Sequence, residues 1–537
     1  MQGITRLTHS KWRYVIAVLL GFILALTFDA RHDIALTWLP TITALSVLAI
    51  FSGLLVRLSP KSALVFGYCF GLGLFGYGLN WIYISMDAFG GAPLYFAVFA
   101  NACVILYLSL YYALGSFLVV KLAKSINHRL CLIAPVFAGL EWVRSVFFIG
   151  FPWLSLGYTT IETPLAYLSR VGGVFFVSFL LLMTVTLCQL QIRNNLKTIA
   201  IGIYLMTVLV AIALVSRPPA SSVIGQPAPT PITAALIQGN MDVITKFDPE
   251  TMDQSLIQYD RLTQAALEKH ADAIDLVVWP ETAIPYFYEQ VPYVRERIQL
   301  MQTDYQFDFI SGVPHTTDEF ITIYNAIFAQ TAKQIPAPTQ TLAPTQAPAQ
   351  SIADTNQFYY KSHLLAFGEY LPMRGFFDFF RDYVTIPMSD FSRGETVQPA
   401  FTVAGIELAP SICFEAVFGD KIRQNARQAQ ALVNLSNDGW FGRSKAQPQH
   451  LNIARMRAIE NQKPMLRATN NGISAIIDAD GQITQTTPAF DSGMVVGEFT
   501  PSHAVTPYSR FGDRLGLVLY SLMIIGIMHC VTRAMRN

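Results

Sequence analysis

Ser411-Ile412-Cys413-Phe414-Glu415 closes an apolar, strand-like segment over 406–413 with a cysteine, a bulky residue and an acid. A strand ending on such a corner exposes the thiol and turns the next backbone N–H, that of Phe414, toward the same spot. The attacking species is the thiolate, and an ordinary thiol titrates near ~8.5, so this cysteine needs a base or a cation close by. Two earlier segments offer them. Val277-Val278-Trp279-Pro280-Glu281-Thr282-Ala283 is an apolar strand that runs into a Pro-Glu turn. A carboxylate there, beside Trp and Pro, is expected to be poorly solvated, with a raised pKa suited to accepting a proton. Phe358-Tyr359-Tyr360-Lys361-Ser362-His363-Leu364 sets a lysine among aromatic and aliphatic neighbours, where a fixed positive charge can stabilise an oxyanion. Phe367-Gly368-Glu369-Tyr370 then supplies a second acid on a turn that glycine permits. Each segment alone also has a plain structural explanation: an inert buried thiol, a turn glutamate, an edge-strand lysine that blocks aggregation.

The chain around these segments has the same character. Short apolar or alternating runs at 232–238, 275–279, 307–313, 324–330, 358–363, 406–413, 431–436, 472–478 and 493–499 read as strands. Helical patterns lie between them at 250–269, 294–303 and 447–462. Strands mixed with helices over this length predict one layered α/β domain at 217–510. A Pro- and Ser-rich linker over 217–231 leads into it, and the low-complexity stretch at 336–351 reads as a surface insertion.

Outside that domain the composition changes. Hydrophobic residues make up 52% of the 537 and charged residues 14%, against about 25% charged in soluble proteins; mean hydropathy is +0.39. Seven apolar spans are expected in a domain at 1–216, over 14–28, 35–56, 63–84, 92–120, 130–148, 165–190 and 198–215. An eighth, over 515–531, lies in a C-terminal segment at 511–537. Lys and Arg gather in alternate loops, which puts both termini in the cytoplasm and the long polar segment outside it. The formal net charge of +1 gives no reason to expect nucleic acid as a partner. Of six cysteines only Cys413 falls in the polar segment, so that segment holds no internal disulfide. Gly71-Leu72-Gly73-Leu74-Phe75-Gly76 matches a dinucleotide-binding pattern, but it sits inside an apolar span and reads as close helix packing. The sequence has no zinc spacing and no P-loop.

Taken together and in this order, Glu281, Lys361 and Cys413 at the ends of three successive predicted strands resemble the nitrilase superfamily. That resemblance implies an α-β-β-α sandwich with Glu281 as general base, Lys361 holding the oxyanion and Cys413 acylated. The preceding spans, the run from Lys361-Ser362-His363-Leu364 to Glu369-Tyr370-Leu371-Pro372, and the loop Asn434-Leu435-Ser436-Asn437-Asp438-Gly439-Trp440-Phe441-Gly442 are similar to the apolipoprotein N-acyltransferases. So are Gln449-His450-Leu451, Leu466-Arg467-Ala468-Thr469-Asn470-Asn471-Gly472, Glu141-Trp142-Val143-Arg144 and Gly150-Phe151-Pro152-Trp153. Phe247 stands where that family often has Trp, and Phe414 where it usually has Tyr; each keeps an aromatic body and loses a polar handle.

The resemblance implies a polytopic bacterial inner-membrane enzyme with its catalytic domain in the periplasm and no metal or organic cofactor. An acyl chain from the sn-1 position of a phospholipid, expected to be phosphatidylethanolamine, would pass through a thioester on Cys413 to the amino terminus of a diacylglyceryl-cysteine apolipoprotein. Phe414, Glu369 and Glu415 would support the oxyanion and the electrostatics. Phe247, Trp440, Tyr370, Arg144 and Trp153 are the expected substrate contacts. Glu141 and Arg144 read as an intramembrane pair, and the aromatic run at 375–383 as a loop dipping into the interface. A monomer is expected. Two other readings are a membrane-anchored nitrilase-like amidase, which water would resolve, and a transporter with an accessory domain, which would leave the triad without a purpose.

Overall fold

The computed structural model describes residues 11–29, 37–89, 91–194, 204, 208, 211, 229–270, 273–318, 321–332, 356–366, 368–370 and 391–536. All but three residues of the span expected over 198–215, most of the linker, the stretch at 336–351 and the aromatic run at 375–383 lie outside these.

Six helices come first: α1 (Trp12–Leu26), α2 (Leu39–Leu55), α3 (Pro60–Gly78), α4 (Leu94–Leu122), α5 (Ile126–Val146) and α6 (Ser169–Asn194). They fall on the first six apolar spans. The glycine run packs α3 against two neighbours at once. A Cβ on Gly73 would stand 2.9 Å from the Phe22 backbone N of α1, and one on Gly71 2.7 Å from Ser109 Cα of α4, whereas one on Gly76 would meet nothing. Among the described residues, two segments are long and apolar enough to cross a bilayer, Leu94–Leu122 and Pro164–Ile192. Pro60–Gly78 and Ile82–Ala88, bent by 52°, make a third if they form one span, and Trp12–Leu26 and Leu39–Leu55 are shorter apolar helices.

The second part is a sandwich of two six-stranded sheets. One has the order β12-β1-β2-β3-β4-β5, built from β1 (Ile232–Gln238), β2 (Leu276–Val278), β3 (Asp308–Thr316), β4 (Ile323–Gln330), β5 (Gln357–Tyr360) and β12 (Gly493–Phe499). The other has the order β11-β10-β9-β8-β7-β6, from β6 (Phe401–Val403), β7 (Ile406–Ile412), β8 (Ala431–Ser436), β9 (Met465–Thr469), β10 (Ala475–Ile477) and β11 (Ile483–Thr486). Strand alternation assigns the layers. On β1, Ala234 and Leu236 join the core between the sheets with Leu408, Leu435 and Leu466. Ala235 and Ile237 face α7 (Met252–His270) and α8 (Pro292–Tyr305) on the outside. The second sheet is covered by α9 (Gly419–Ala426) and α10 (Ala446–Asn461) through Ile422, Ala426, Leu451 and Ala454. The result is the α-β-β-α order expected. The chain ends in α11 (Pro507–Phe511) and α12 (Asp513–Arg536).

Three strands, β6, β9 and β11, were not legible as strands in the sequence. β6 is three residues long, β11 (Ile-Thr-Gln-Thr) is an exposed sheet edge, and Arg467 interrupts the apolar pattern of β9.

Candidate active site

β7 pairs in parallel with β8 as far as Ile412 and Leu435, and the chain then turns into a short 3-10 segment, Cys413–Val417. Cys413 makes the turn with φ +49°, in the left-handed region, where a side chain costs about 1–2 kcal/mol. Asn434 holds it there. Its Nδ2 donates to Ser411 Oγ at 3.1 Å and to the Cys413 carbonyl at 3.4 Å. Asn434 Oδ1 in turn accepts from Arg467, which donates to Asp438 Oδ2 at 2.7 Å. Burial pushes the Cys413 thiol up to about 12, the Glu281 carboxylate adds to the rise, and Lys361 opposes it. The thiol is therefore protonated at neutral pH and becomes a nucleophile only as its proton is taken.

Glu281 and Lys361 come from the facing sheet. Glu281 follows β2, and its turn lies directly on Gly312 of β3, where a Cβ would stand 2.7 Å from Glu281 Cα. Lys361 follows β5, its backbone N donating to the Asn325 carbonyl at 2.9 Å. Its ammonium lies 2.9 Å from Glu369 Oε1 and 3.5 Å from Glu281 Oε1. Asn325 Nδ2 bridges the same two oxygens at 3.0 and 2.9 Å. Burial alone would lower the Lys361 pKa, but Glu369 and then Glu281 outweigh it and hold the ammonium above the ordinary lysine range. Glu281 Oε2 is buried without a hydrogen-bond partner among the described residues, which leaves it open to a proton. The three groups thus lie at the ends of β2, β5 and β7, two on one sheet and one on the other. They are not on successive strands, because β3, β4 and β6 intervene.

Glu415 ties the two sides together. Its Oε1 accepts from the backbone N–H groups of Ser362 and His363 at 2.9 and 3.0 Å. Its Oε2 accepts from Tyr359 Oη at 2.8 Å and from the Ile412 N–H at 2.9 Å. One fully buried carboxylate therefore fixes the chain just after Lys361 to the chain just before Cys413.

The Phe414 ring leaves the sandwich and stacks against Phe151 and Trp153, with centroids 6.2 and 6.3 Å away, in the loop after α5. His363 and Phe418 complete this aromatic wall, 3.7 Å apart between centroids, and burial lowers the His363 pKa to about 4, so its ring is neutral. Among the described residues no cluster of His, Cys, Asp or Glu is arranged to hold a metal ion.

Residues 233–506 match the family model for carbon-nitrogen hydrolase, and residues 20–187 match that for the apolipoprotein N-acyltransferase N-terminal domain. An apolipoprotein N-acyltransferase of Vibrio parahaemolyticus is 35% identical over 469 residues, 86% of this chain and 88% of its own length. One of Methylococcus capsulatus is 35% identical over 497 residues, 91% of both chains. One of Shewanella oneidensis is 31% identical over 528 residues, 97% of this chain and 96% of its own. The chain belongs to the apolipoprotein N-acyltransferase family.

As a member of that family it is an N-acyltransferase built on a nitrilase-like catalytic domain, and the amidase alternative is not favoured. The structure puts several expected groups in unexpected roles. Trp279 does not line the mouth beside Glu281; alternation turns it to the helix side, where Nε1 donates to Thr263 Oγ1 at 2.8 Å and the ring stacks on Tyr259. Trp153 is fully buried, and its Nε1 donates to Gln449 Oε1 at 2.8 Å. Arg144 and Glu141 reach the loop after α5 instead of each other: Arg144 Nη1 donates to the Trp153 carbonyl at 2.6 Å, and Glu141 Oε1 accepts from the Leu156 N–H at 3.0 Å. Phe247 and Trp440 are half-buried, Trp440 in contact with the membrane part through Ser85 Oγ, which donates to its carbonyl at 2.7 Å. Tyr370 lies under the guanidinium of Arg393, 4.6 Å from its ring centroid.

Three groups carry more of the site than the sequence suggested. Asn325, a polar residue in an apolar strand, was a signal that could have been read. Lys246 beside Phe247 is buried, its Nζ 3.0 Å from Thr282 Oγ1. The buried set of Asp438, His450 and Arg467 lies in motifs already quoted, with His450 Nδ1 3.0 Å from Asp438 Oδ1. Arg467 and His450 together hold the Asp438 carboxyl well below the usual carboxylate range, against the effect of its burial.

Proposed function

We propose that the chain carries one acyl group from a phospholipid to the amino terminus of a diacylated apolipoprotein by way of Cys413. Glu281 removes the thiol proton. The sulfur attacks the sn-1 ester carbonyl, with phosphatidylethanolamine as the donor, and the C–S bond forms as a tetrahedral oxyanion. Lys361 and the Phe414 N–H stabilise that oxyanion. Its collapse breaks the ester C–O bond. The proton held by Glu281 goes to the departing lysophospholipid oxygen, leaving a thioester. The α-amine of the lipoprotein cysteine then attacks this thioester, Glu281 takes the amine proton, and the thiol leaves and is reprotonated. Glu369 orients Lys361, and Glu415 positions both reacting strand ends. Phe247, Trp440, Tyr370, Arg144 and Trp153 belong to or support the surfaces that receive the two lipid substrates.

The observation that carries this reading is the meeting of two surfaces at Cys413. A base and a cation approach the sulfur from the facing sheet, while the next residue's ring packs into the membrane part. A hydrolase of small amides has no need of the second surface. The proposal extends to a first domain at 1–216 with seven spans, a periplasmic catalytic domain at 217–510 and an eighth span in 511–537. The chain would then be a monomer in the bacterial inner membrane.

Intact-mass spectrometry of the chain after incubation with phosphatidylethanolamine tests the reaction. The expected result is a gain of one fatty acyl group, absent in Cys413→Ala and reversed by a diacylated peptide with a free amine. Acyl loss to water at the same rate with an acetylated peptide would favour hydrolysis.

A further inference from the structure

Lys246 lies on a short 3-10 segment, Thr245–Phe247, between β1 and α7, and is 3% exposed. Its ammonium donates to Thr282 Oγ1 at 3.0 Å and to the Thr282 carbonyl at 3.4 Å. Thr282 directly follows Glu281 and, like Cys413, has φ +49°. No carboxylate lies within 4 Å of Lys246 among the described residues. Burying an ammonium against a hydroxyl and a carbonyl alone is costly, and a methionine would fill the same space. The charge therefore calls for an explanation.

The charge balance around Glu281 supplies one. The groups that face it are Lys361 after β5, Glu369 from the following loop, Cys413 after β7 and Lys246; the charge of Asp438 also acts on the sulfur. Glu281 and Glu369 converge on one ammonium, which is nearer Glu369, and on one Asn325 amide. Two carboxylates thus share one cation, and the site holds one more negative charge than Lys361 alone can balance.

We propose that Lys246 is a positioning residue that supplies the second positive charge, balancing the carboxylate of Glu281 and holding its turn in place until Cys413 surrenders its proton. The inference rests on the acyl-transfer reading above. Burial lowers the Lys246 pKa to about 8, opposed by Glu281, so the ammonium is still mostly charged at neutral pH.

The test is the pH dependence of Cys413 acylation, followed by quenched intact-mass measurement on the full chain in mixed micelles containing dioleoylphosphatidylethanolamine. The acid limb reports the Glu281–Cys413 pair as a unit. Lys246→Gln keeps a hydrogen-bond donor for Thr282 and loses the charge. It should move the acid limb up by about one pH unit, roughly a tenfold loss on that limb, with the plateau retained. Lys246→Arg should leave the limb in place. If Lys246→Gln is not recovered folded, Lys246→Met reads the same limb without a polar end to satisfy. A limb unmoved in the uncharged variants, or moved equally in Lys246→Arg, overturns the inference. Absence of any thioester in the unaltered chain would instead overturn the acyl-transfer reading.

Discussion

Replacing Glu415 with glutamine changes one atom of a fully buried side chain, yet the geometry makes it a severe test. The carboxylate accepts at both ends: two backbone N–H groups at Oε1, and the Tyr359 hydroxyl with the Ile412 N–H at Oε2. An amide can accept at only one end. With its NH2 at the Oε1 position, both the Ser362 and the His363 N–H lose their acceptor. With the NH2 at Oε2, Tyr359 can rotate to accept, and only the Ile412 N–H is stranded. The second arrangement is the cheaper one. An orphaned buried donor costs about 1–3 kcal/mol, and the surviving bonds lose their charge assistance, each falling to roughly half its strength. The Lys421 ammonium, 3.6 Å away, also loses its counter-charge. The total is roughly 2–5 kcal/mol, which lowers the unfolding midpoint without abolishing the fold. The kinetic loss should be greater in proportion. The stranded N–H is one residue before Cys413, the proposed nucleophile, and a displacement of about 1 Å at a reacting atom is worth on the order of a hundredfold in rate. Thermal unfolding in detergent and the rate of Cys413 thioester formation measure the two effects. Glu415→Gln within about 1 kcal/mol of the unaltered chain and within threefold of its acylation rate would refute the account of Glu415 as the tie between the two strand ends.

Two further outcomes follow from strain and from charge. Because Cys413 holds φ +49°, Cys413→Gly should be more stable than Cys413→Ala by roughly 0.5–1 kcal/mol, the reverse of the usual order, as read from their unfolding midpoints. Glu460 of α10 is raised to about 7 by burial, with Arg457 opposing. Its contribution is fully present below about 4.5 and is lost as pH rises to about 7. Against Glu460→Gln, the unaltered chain should therefore lose on the order of 3 kcal/mol of stability between those values; parallel pH profiles of the two midpoints would refute it.

What the sequence made legible is what short range decides. The strand-end corners at Glu281, Lys361 and Cys413 could be read because an apolar run stopped by a turn is a local signal. The glycine run announced close packing for the same reason. The pairing of strands was not legible. Nothing near Cys413 says that β7 belongs to a different sheet from β2 and β5, since that choice is made by contacts far apart in the chain. The side of a strand on which a residue falls was equally hidden for Trp279, because in a strand covered on both faces hydrophobicity does not mark which face points inward. Lys246 and Arg467 were obscured by a rule that generally holds. Charged residues are usually outside, and the groups that receive these two, Thr282 for Lys246 and Asn434 with Asp438 for Arg467, are supplied by distant segments.

The membrane part enters the site through Phe414. In the proposed reaction its backbone N–H helps to hold the oxyanion, so the conformation of this one residue matters to the chemistry. Its ring packs on Phe418 of the sandwich on one side and on Phe151 and Trp153 on the other, and Trp153 is held by Arg144 of α5 and by Gln449 of α10. Burying a phenylalanine ring is worth about 1.5–3 kcal/mol. That is comparable to the left-handed strain at the neighbouring Cys413. The helices therefore do more than tether a soluble hydrolase to a bilayer. Through the loop after α5 they pack against the ring that directly follows the strained corner at Cys413. A sandwich separated from them would keep the contacts that position Glu281, Lys361 and Cys413 and lose the outer wall against which the Phe414 ring packs.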